Sequence, residues 1–248
     1  MGYVFNFNDA RAYNSWVTTS RSQIEANLES CLMLDMLKPI QGESLLDIGC
    51  GSGASIKPFF DKGLTVTGVD PSPYMLDLAA EQYGQRVDFY RGFAEDLPFD
   101  DNSFNHASLV TTLEFVDDPG KAISEACRVA KDRIFLGVMN RYALKGIERR
   151  LKGIFHHTIY NRAQFYSVWE LKGMIRGILG DGVPISWRTV SQFPVSSGKV
   201  ICNLEKSDIV QRFPFGAFAG IVASLVPRFR TRPMTLRYKT SEPTGIAT

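Results

Sequence analysis

Cysteine and histidine are both scarce in this sequence of 248 residues. Four cysteines are scattered along the chain without a CxxC pair, and of three histidines only His156 and His157 are adjacent. Neither residue type therefore has the spacing that metal ligands usually show. The sequence predicts no metal site.

Long hydrophobic runs and an excess of one charge are also missing. The longest uncharged run, Phe213–Pro227, has 15 residues, short of the roughly 20 that cross a bilayer. The N-terminus has no basic start followed by an apolar stretch, so no signal peptide is predicted. A net charge of +2 argues against nucleic-acid binding as the main role. We expect a cytoplasmic protein without a transmembrane segment.

The most informative segment that is present is LLDIGCGSG, Leu45 to Gly53. It is typical of a buried strand that ends in a glycine turn, where Gly49, Gly51 and Gly53 let the main chain approach a ligand. Asp70 ends a second apolar run 21 positions after Gly49. A carboxylate at that spacing meets the ribose hydroxyls of nucleoside ligands. The alternative is a purely structural turn.

Strands and helices alternate from this turn onward. Five short strands with helical crossovers predict a parallel sheet, and ligands bind at the carboxyl ends of such strands. Residues 1–40 are predicted to be helical, with an apolar face that includes Ile24, Leu28 and Leu32. Residues 141–180, which hold eight Lys/Arg and two Glu, are predicted to form a helical insert before a sixth and a seventh strand.

Four ordered motifs carry a resemblance to a known family. They are DIGCGSG (Asp47–Gly53), VTGVDPSPYML (Val66–Leu76), GFAEDLPFDDNSFN (Gly92–Asn105) and TTLEFVDDP (Thr111–Pro119). They resemble class I S-adenosylmethionine-dependent methyltransferases of the ubiquinone and menaquinone C-methyltransferase group. The resemblance implies a Rossmann-like, doubly wound α/β fold of seven strands, mostly parallel with the last strand antiparallel. It also implies one methyltransferase domain over residues 1–248, with S-adenosylmethionine as cofactor and S-adenosylhomocysteine as product.

The resemblance also implies a cofactor site, carried over position by position. The turn would pass under the methionine part, Asp70 would accept from the ribose hydroxyls, and Thr111 would offer backbone to the amino acid part. Phe93 stands where the family often has Asp, and Glu114 where many relatives have His. The expected cofactor-binding residues are Asp47, Gly49, Cys50, Gly51, Gly53, Asp70, Pro71, Ser72, Met75, Phe93, Ala94, Glu95 and Thr111.

The acceptor side is less defined by the sequence. In the family, residues 1–40 would fold over the cofactor as a lid, and residues 141–180 would shape the acceptor pocket. Packing or surface roles are the alternative for each residue concerned, and no general base stands out. The candidate substrate-binding residues are Tyr13, Trp16, Glu114, Asn140, Arg141 and Tyr160.

Basic clusters near residues 149–152 and 228–239 are either solvated faces or docking sites for an anionic acceptor, a carrier protein or a membrane surface. The predicted function is methyl transfer to a small-molecule acceptor by in-line displacement. The alternatives are a non-catalytic protein that binds S-adenosylmethionine and an NAD-dependent oxidoreductase, because GCGSGA also fits the dinucleotide pattern G-x-G-x-x-A.

Overall fold

The computed structural model describes residues 2–17, 19–143, 163–193, 204–205 and 207–225. Two N-terminal helices, α1 (Phe7–Val17) and α2 (Ser20–Leu37), precede a seven-stranded sheet. The strands are β1 (Ser44–Ile48), β2 (Thr65–Asp70), β3 (Asp88–Arg91), β4 (Phe104–Val110), β5 (Ala130–Met139), β6 (Ile185–Val190) and β7 (Phe218–Ser224). The remaining helices are α3 (Ile56–Asp61), α4 (Pro73–Tyr83), α5 (Pro119–Val129), α6 (Val168–Leu179) and α7 (Asp208–Gln211).

The strand order in the sheet is β3-β2-β1-β4-β5-β7-β6. Pairings among β1 to β5 are parallel, whereas β7 pairs antiparallel with β5 and with β6. The predicted fold class, including the antiparallel last strand, is confirmed. The order reverses between β1 and β4, and ligands bind at such a switch point, beyond the carboxyl ends of the strands.

Local signals in the sequence explain where several helices begin. The side chains of Ser72, Asp118 and Ser167 accept hydrogen bonds from the first turns of α4, α5 and α6, which satisfies backbone donors that have no partner within the helix. The helix that follows the glycine turn, α3, is short and begins at Ile56. Pro58 therefore lies in its first turn, where a missing N–H removes no helical hydrogen bond.

Helices cover both faces of the sheet. On one face α2, α3 and α4 contribute Leu32, Phe59 and Tyr83 to a core cluster, and on the other α5 and α6 contribute Ile123 and Leu171. The sheet is thereby held in a fixed position between the two layers. Among the described residues, no helix has both the length and the apolar character that a membrane span requires.

Two segments named in the sequence analysis lie partly or wholly outside the described residues. Residues 144–162 lie outside the described part of the chain, and with them His156, His157 and Tyr160. The described remainder of the predicted insert contains α6, and Asn140 forms an isolated bridge with Tyr166. The basic cluster from residue 228 onward also lies outside the described residues.

Candidate functional site

The glycines of the turn after β1 serve two purposes, which are close packing against the protein and space for a ligand. Gly49, Gly51 and Gly53 have φ values of 71°, 52° and 85°, which side chains with a Cβ rarely adopt. A Cβ at Gly49 would lie 2.3 Å from Cγ2 of Thr112, whereas one at Gly51 would meet only Met75 Cε, at 3.5 Å. Gly49 therefore allows close packing against the protein, and Gly51 borders open space.

Asp70, the last residue of β2, fixes the turn in position. Its Oδ2 accepts from the N–H of Gly51 at 2.9 Å, and its Oδ1 accepts from the N–H of Ser72 at 2.8 Å. Burial raises the pKa of this carboxyl, although the two N–H groups act in the opposite direction. The Ser72 hydroxyl caps α4 at the N–H of Met75 and donates to the carbonyl of Phe5 at 2.7 Å.

A second carboxyl lies behind the turn rather than beside it. Asp47 is 1% exposed and accepts from the hydroxyls of Ser55 at 2.5 Å and Ser108 at 2.7 Å. Burial raises its pKa to about 6. Burial, followed by the charges of Asp47 and Asp70, also raises the pKa of the Cys50 thiol. Cys50 therefore stays protonated and lacks the thiolate character that a nucleophile needs.

A cavity with a volume of about 210 Å³ opens above these strand ends. Gly51, Asp70, Phe93 and Thr111 lie along one part of its wall. The opposite part is formed by the ends of β5 to β7 and by the N-terminal helices, and it includes Tyr13, Val17, Ser22, Glu25, Ala26, Glu29, Ser30, Met33, Met139, Ser191, Ala217 and Phe218.

An extended arm before α1 covers the cavity. The N–H of Tyr3 donates to the carbonyl of Phe115 at 2.8 Å. The ring of Phe5 lies 5.2 Å from that of Phe115 and 6.4 Å from that of Tyr13. Tyr3, Phe5, Tyr13 and Phe115 all line the cavity. The first residues of the chain therefore form part of the binding site.

Comparison with known proteins agrees with this architecture. A family model described as a methyltransferase domain matches residues 46–135. An uncharacterized protein of Methanocaldococcus jannaschii is 30% identical over 222 residues, which cover 88% of this chain and 97% of that protein. The demethylmenaquinone methyltransferase of Renibacterium salmoninarum is 37% identical over 100 residues, 40% of this chain and 42% of that enzyme. The chain thus spans less than half the length of that enzyme.

Among solved structures, a S-adenosylmethionine-dependent methyltransferase from Thermotoga maritima, described as a possible histamine N-methyltransferase, is 26% identical. The match covers 88% of this chain and 96% of that one, with a TM-score of 0.66. The chain belongs to the class I S-adenosylmethionine-dependent methyltransferases.

S-adenosylmethionine is the cofactor of the family to which the chain belongs, and the cavity suits it. The space beyond Gly51, which a Cβ would begin to fill, admits a ligand close to the main chain. The Asp70 carboxylate lines the same space, and each of its oxygens retains a lone pair beyond the backbone bond that it accepts. A nucleoside with two adjacent hydroxyls matches that acceptor.

Most residues that the sequence suggested for the cofactor share this one cavity. Its lining includes Gly49, Cys50, Gly51, Asp70, Pro71, Met75, Phe93, Ala94, Glu95 and Thr111. Three others lie behind the wall: Asp47 and Ser72 are hydrogen-bonded as described, and a Cβ at Gly53 would lie 2.6 Å from Tyr83. These three position the turn and α4 rather than line the cavity.

The predicted acceptor residues are placed differently. Tyr13 lines the cavity, whereas Asn140 and Arg141 do not. The Asn140 amide donates to the carbonyls of Pro214 at 2.7 Å and Gly216 at 2.8 Å, which turns it away from the cavity. Arg141 pairs with Glu170 at 2.5 Å. Trp16 belongs to α1, but its side chain lies outside the described part, as does Tyr160.

Glu114 is also absent from the cavity wall, although it follows β4 on the rim. It is 2% exposed, and its Oε1 accepts from the N–H of Met139 at 2.6 Å. Burial raises its pKa to about 8. Among the described residues, neither its Oε2 nor the hydroxyl of Tyr166 has a hydrogen-bond partner. Glu114 thus supports the wall from behind as a largely neutral carboxylic acid at pH 7.

Sequence reasoning did not identify the residues that form the far side of the cavity. Glu25, Glu29 and Met33 of α2 line it, together with Ser191 after β6 and Phe218 in β7. The described residues of the predicted insert, 141–143 and 163–180, do not line this cavity. The signal that could have identified α2 is its polar stripe at steps of three and four residues.

Proposed function

We propose that this protein is an enzyme that transfers the methyl group of S-adenosylmethionine to a small organic acceptor by in-line displacement. The observation that carries the proposal is the extent of the cavity. It reaches from Gly51 and Asp70 to Met139, Ser191 and Phe218 under one cover of N-terminal residues. One enclosed space can therefore hold a cofactor and an acceptor side by side.

The bound cofactor supplies an already activated methyl group on a sulfonium. What the protein must add is alignment of the acceptor with the methyl group and exclusion of water. Asp70 would bind the ribose hydroxyls, the main chain at Gly51 would pass beneath the methionine part, and Met75 would contact the adenine. Thr111 would offer its backbone to the amino acid part of the cofactor.

For the domain organisation, we propose one methyltransferase domain over residues 1–248. Residues 2–40 would act as the lid, because the arm and α2 border the cavity. The acceptor would then be selected mainly by α1, α2 and the ends of β5 to β7. Under this proposal, the described residues of 141–180 do not select the acceptor, although the sequence analysis expected them to shape the acceptor pocket.

The test is a transfer assay with S-adenosylmethionine that carries a deuterated methyl group. Candidate acceptors are grouped by class, including ring carbons and amines, the classes to which the names of the relatives point. Mass spectrometry should detect S-adenosylhomocysteine and one deuterated product, and the Gly51→Val variant should give neither.

Two outcomes would favour the alternatives instead. Tight binding of S-adenosylhomocysteine with no product from any class would indicate a non-catalytic binding protein. A rise in melting temperature with NAD, and none with S-adenosylhomocysteine, would indicate the oxidoreductase.

A further inference from the structure

The face of α2 that borders the cavity is mostly polar, although this face is turned towards the protein and not towards solvent. The cavity-lining residues recur at steps of three and four, as one helical face requires: Ser22, Glu25, Ala26, Glu29, Ser30 and Met33. Leu28 and Leu32 instead belong to the core cluster against the sheet. Two glutamates one turn apart, Glu25, which is buried, and Glu29, which is half-buried, thus line the cavity.

Contacts at the C-terminal half of α2 hold the helix over the strands β5 and β6. Arg133 of β5 donates to the carbonyl of Leu37 at 2.6 Å. Arg188 of β6 pairs with Asp35. These contacts place α2 over β5 and β6, and Glu29 of α2 lines the same cavity as Met139 at the end of β5.

The same part of the cavity wall offers a hydrogen-bonding group without a partner among the described residues. Ser191, directly after β6, is 3% exposed and lines the cavity. Its hydroxyl has no hydrogen-bond partner among the described residues. A buried hydroxyl without a partner is costly, so the position suits a hydroxyl that a ligand satisfies.

The charged and aromatic side chains of the cavity wall indicate the charge of the ligand. The charged side chains along the described lining are all carboxylates: Glu25, Glu29, Asp70 and Glu95. Aromatic rings of Tyr13, Phe115 and Phe218 border the same space, and ring faces attract cations. A carboxylate can accept at about four lone-pair sites, so other contacts of a glutamate leave room for an ammonium.

We infer that the methyl acceptor is an organic amine, bound as its ammonium ion by Glu25 and Glu29 and oriented by the Ser191 hydroxyl. This inference rests on the proposed methyl transfer. The ammonium gives one proton to a glutamate carboxylate, and the freed nitrogen lone pair forms the N–C bond. The S–C bond breaks with its electron pair retained on sulfur, and the proton passes from the glutamate to water.

The experiment uses three probes with the same ring and different head groups: phenethylamine, phenylethanol and phenylpropionate. Transfer is measured for the wild type and for Glu25→Gln, Glu29→Gln and Ser191→Ala. Glu81→Gln, an exposed position on α4, serves as the matched control. Calorimetry measures binding of S-adenosylmethionine, of S-adenosylhomocysteine, and of each probe to the protein saturated with S-adenosylhomocysteine.

We expect phenethylamine alone to be methylated. Each glutamine variant should raise its KM at least tenfold and leave the affinity for S-adenosylhomocysteine within threefold. Ser191→Ala should raise KM less, and Glu81→Gln should change neither quantity. If no probe is methylated, binding of phenethylamine to the loaded protein decides. Binding that the glutamine variants weaken tenfold supports the ammonium site and leaves the proposed methyl transfer without support from these probes, whereas binding that the variants leave unchanged overturns the inference.

Two results would overturn the inference and leave the proposed function intact. One is transfer to phenylethanol or phenylpropionate that the glutamine variants leave unchanged. The other is a loss of affinity for S-adenosylmethionine, but not for S-adenosylhomocysteine, without any effect on phenethylamine. In that case the two glutamates stabilise the sulfonium and not the acceptor.

Discussion

Replacing Glu114 with Gln should change how the stability of the protein depends on pH. The wild-type carboxyl is 2% exposed, and burial raises its pKa from an ordinary value of 4.5 to about 8. Gln has nearly the same shape, and its carbonyl can accept from the N–H of Met139 as Oε1 does. The substitution therefore removes the titration and retains the hydrogen bond.

The direction of the pH dependence follows from whether the folded or the unfolded state holds the proton on Glu114. Between pH 4.5 and pH 8 the folded protein holds a proton on Glu114 that the unfolded chain has released. This contribution to stability is complete below pH 4.5 and is lost as the pH rises through 8. With one pKa unit equal to about 1.4 kcal/mol, the loss from pH 6 to pH 8 is about 2 kcal/mol.

Urea denaturation at pH 6, 7 and 8 measures this loss as a difference between the wild type and Glu114→Gln. Other groups, such as Asp47 with a pKa of about 6, titrate in both proteins and cancel in the difference. The variant should gain about 2 kcal/mol relative to the wild type from pH 6 to pH 8. A stability difference that stays constant over this range would refute the reasoning.

Four further substitutions test the wall of the cavity and its surroundings. Asp70→Ala should weaken S-adenosylmethionine binding by about 1.5–3 kcal/mol, measured by calorimetry, because it removes a charged acceptor; unchanged affinity would exclude the ribose role. Gly51→Val should abolish cofactor binding with a native circular dichroism spectrum, whereas Gly49→Val should unfold the protein, since only the latter Cβ overlaps protein atoms; wild-type binding by Gly51→Val would contradict this. Arg141→Ala should leave S-adenosylhomocysteine affinity and kcat/KM within threefold, because the guanidinium pairs with Glu170 outside the cavity; a tenfold fall in kcat/KM would return Arg141 to the acceptor site.

The sequence was sufficient for the strands and helices around the glycine turn because their signals are local. A glycine turn directly after a strand, a Ser-Pro pair before α4 and an Asp-Pro pair before α5 each act within a few residues. The seven-stranded sheet with its antiparallel last strand was implied by the resemblance to the methyltransferase family and not by these local signals. Asp70 is placed beside Gly51 by the pairing of β1 with β2, which the topology already implies.

The misplaced acceptor residues depend on contacts that are distant in sequence. Asn140 follows a rim strand, as predicted, but its amide is held by carbonyls 74 and 76 residues further along the chain. Glu114 also reaches the rim, and a backbone N–H 25 residues later turns its carboxyl inward. Topology predicts which strand end a residue follows, whereas such partners decide which way its side chain points.

The helix α2 shows a different reason why the hydrophobic pattern of the sequence did not predict which of its residues are buried. Apolar periodicity predicted that Ile24, Leu28 and Leu32 share a buried face, and the two leucines are buried, but Ile24 is 39% exposed while Glu25 is 8% exposed. Hydrophobic periodicity measures burial against other protein groups. The cavity-facing side of α2 is buried against space for a ligand, and its residue types therefore follow the chemistry of that ligand. When a helix has one apolar and one polar face, the polar face can lie against solvent or against a polar ligand, and the sequence looks the same in both cases. For α2, the two cases are distinguished only by the three-dimensional positions of the N-terminal arm and of β6.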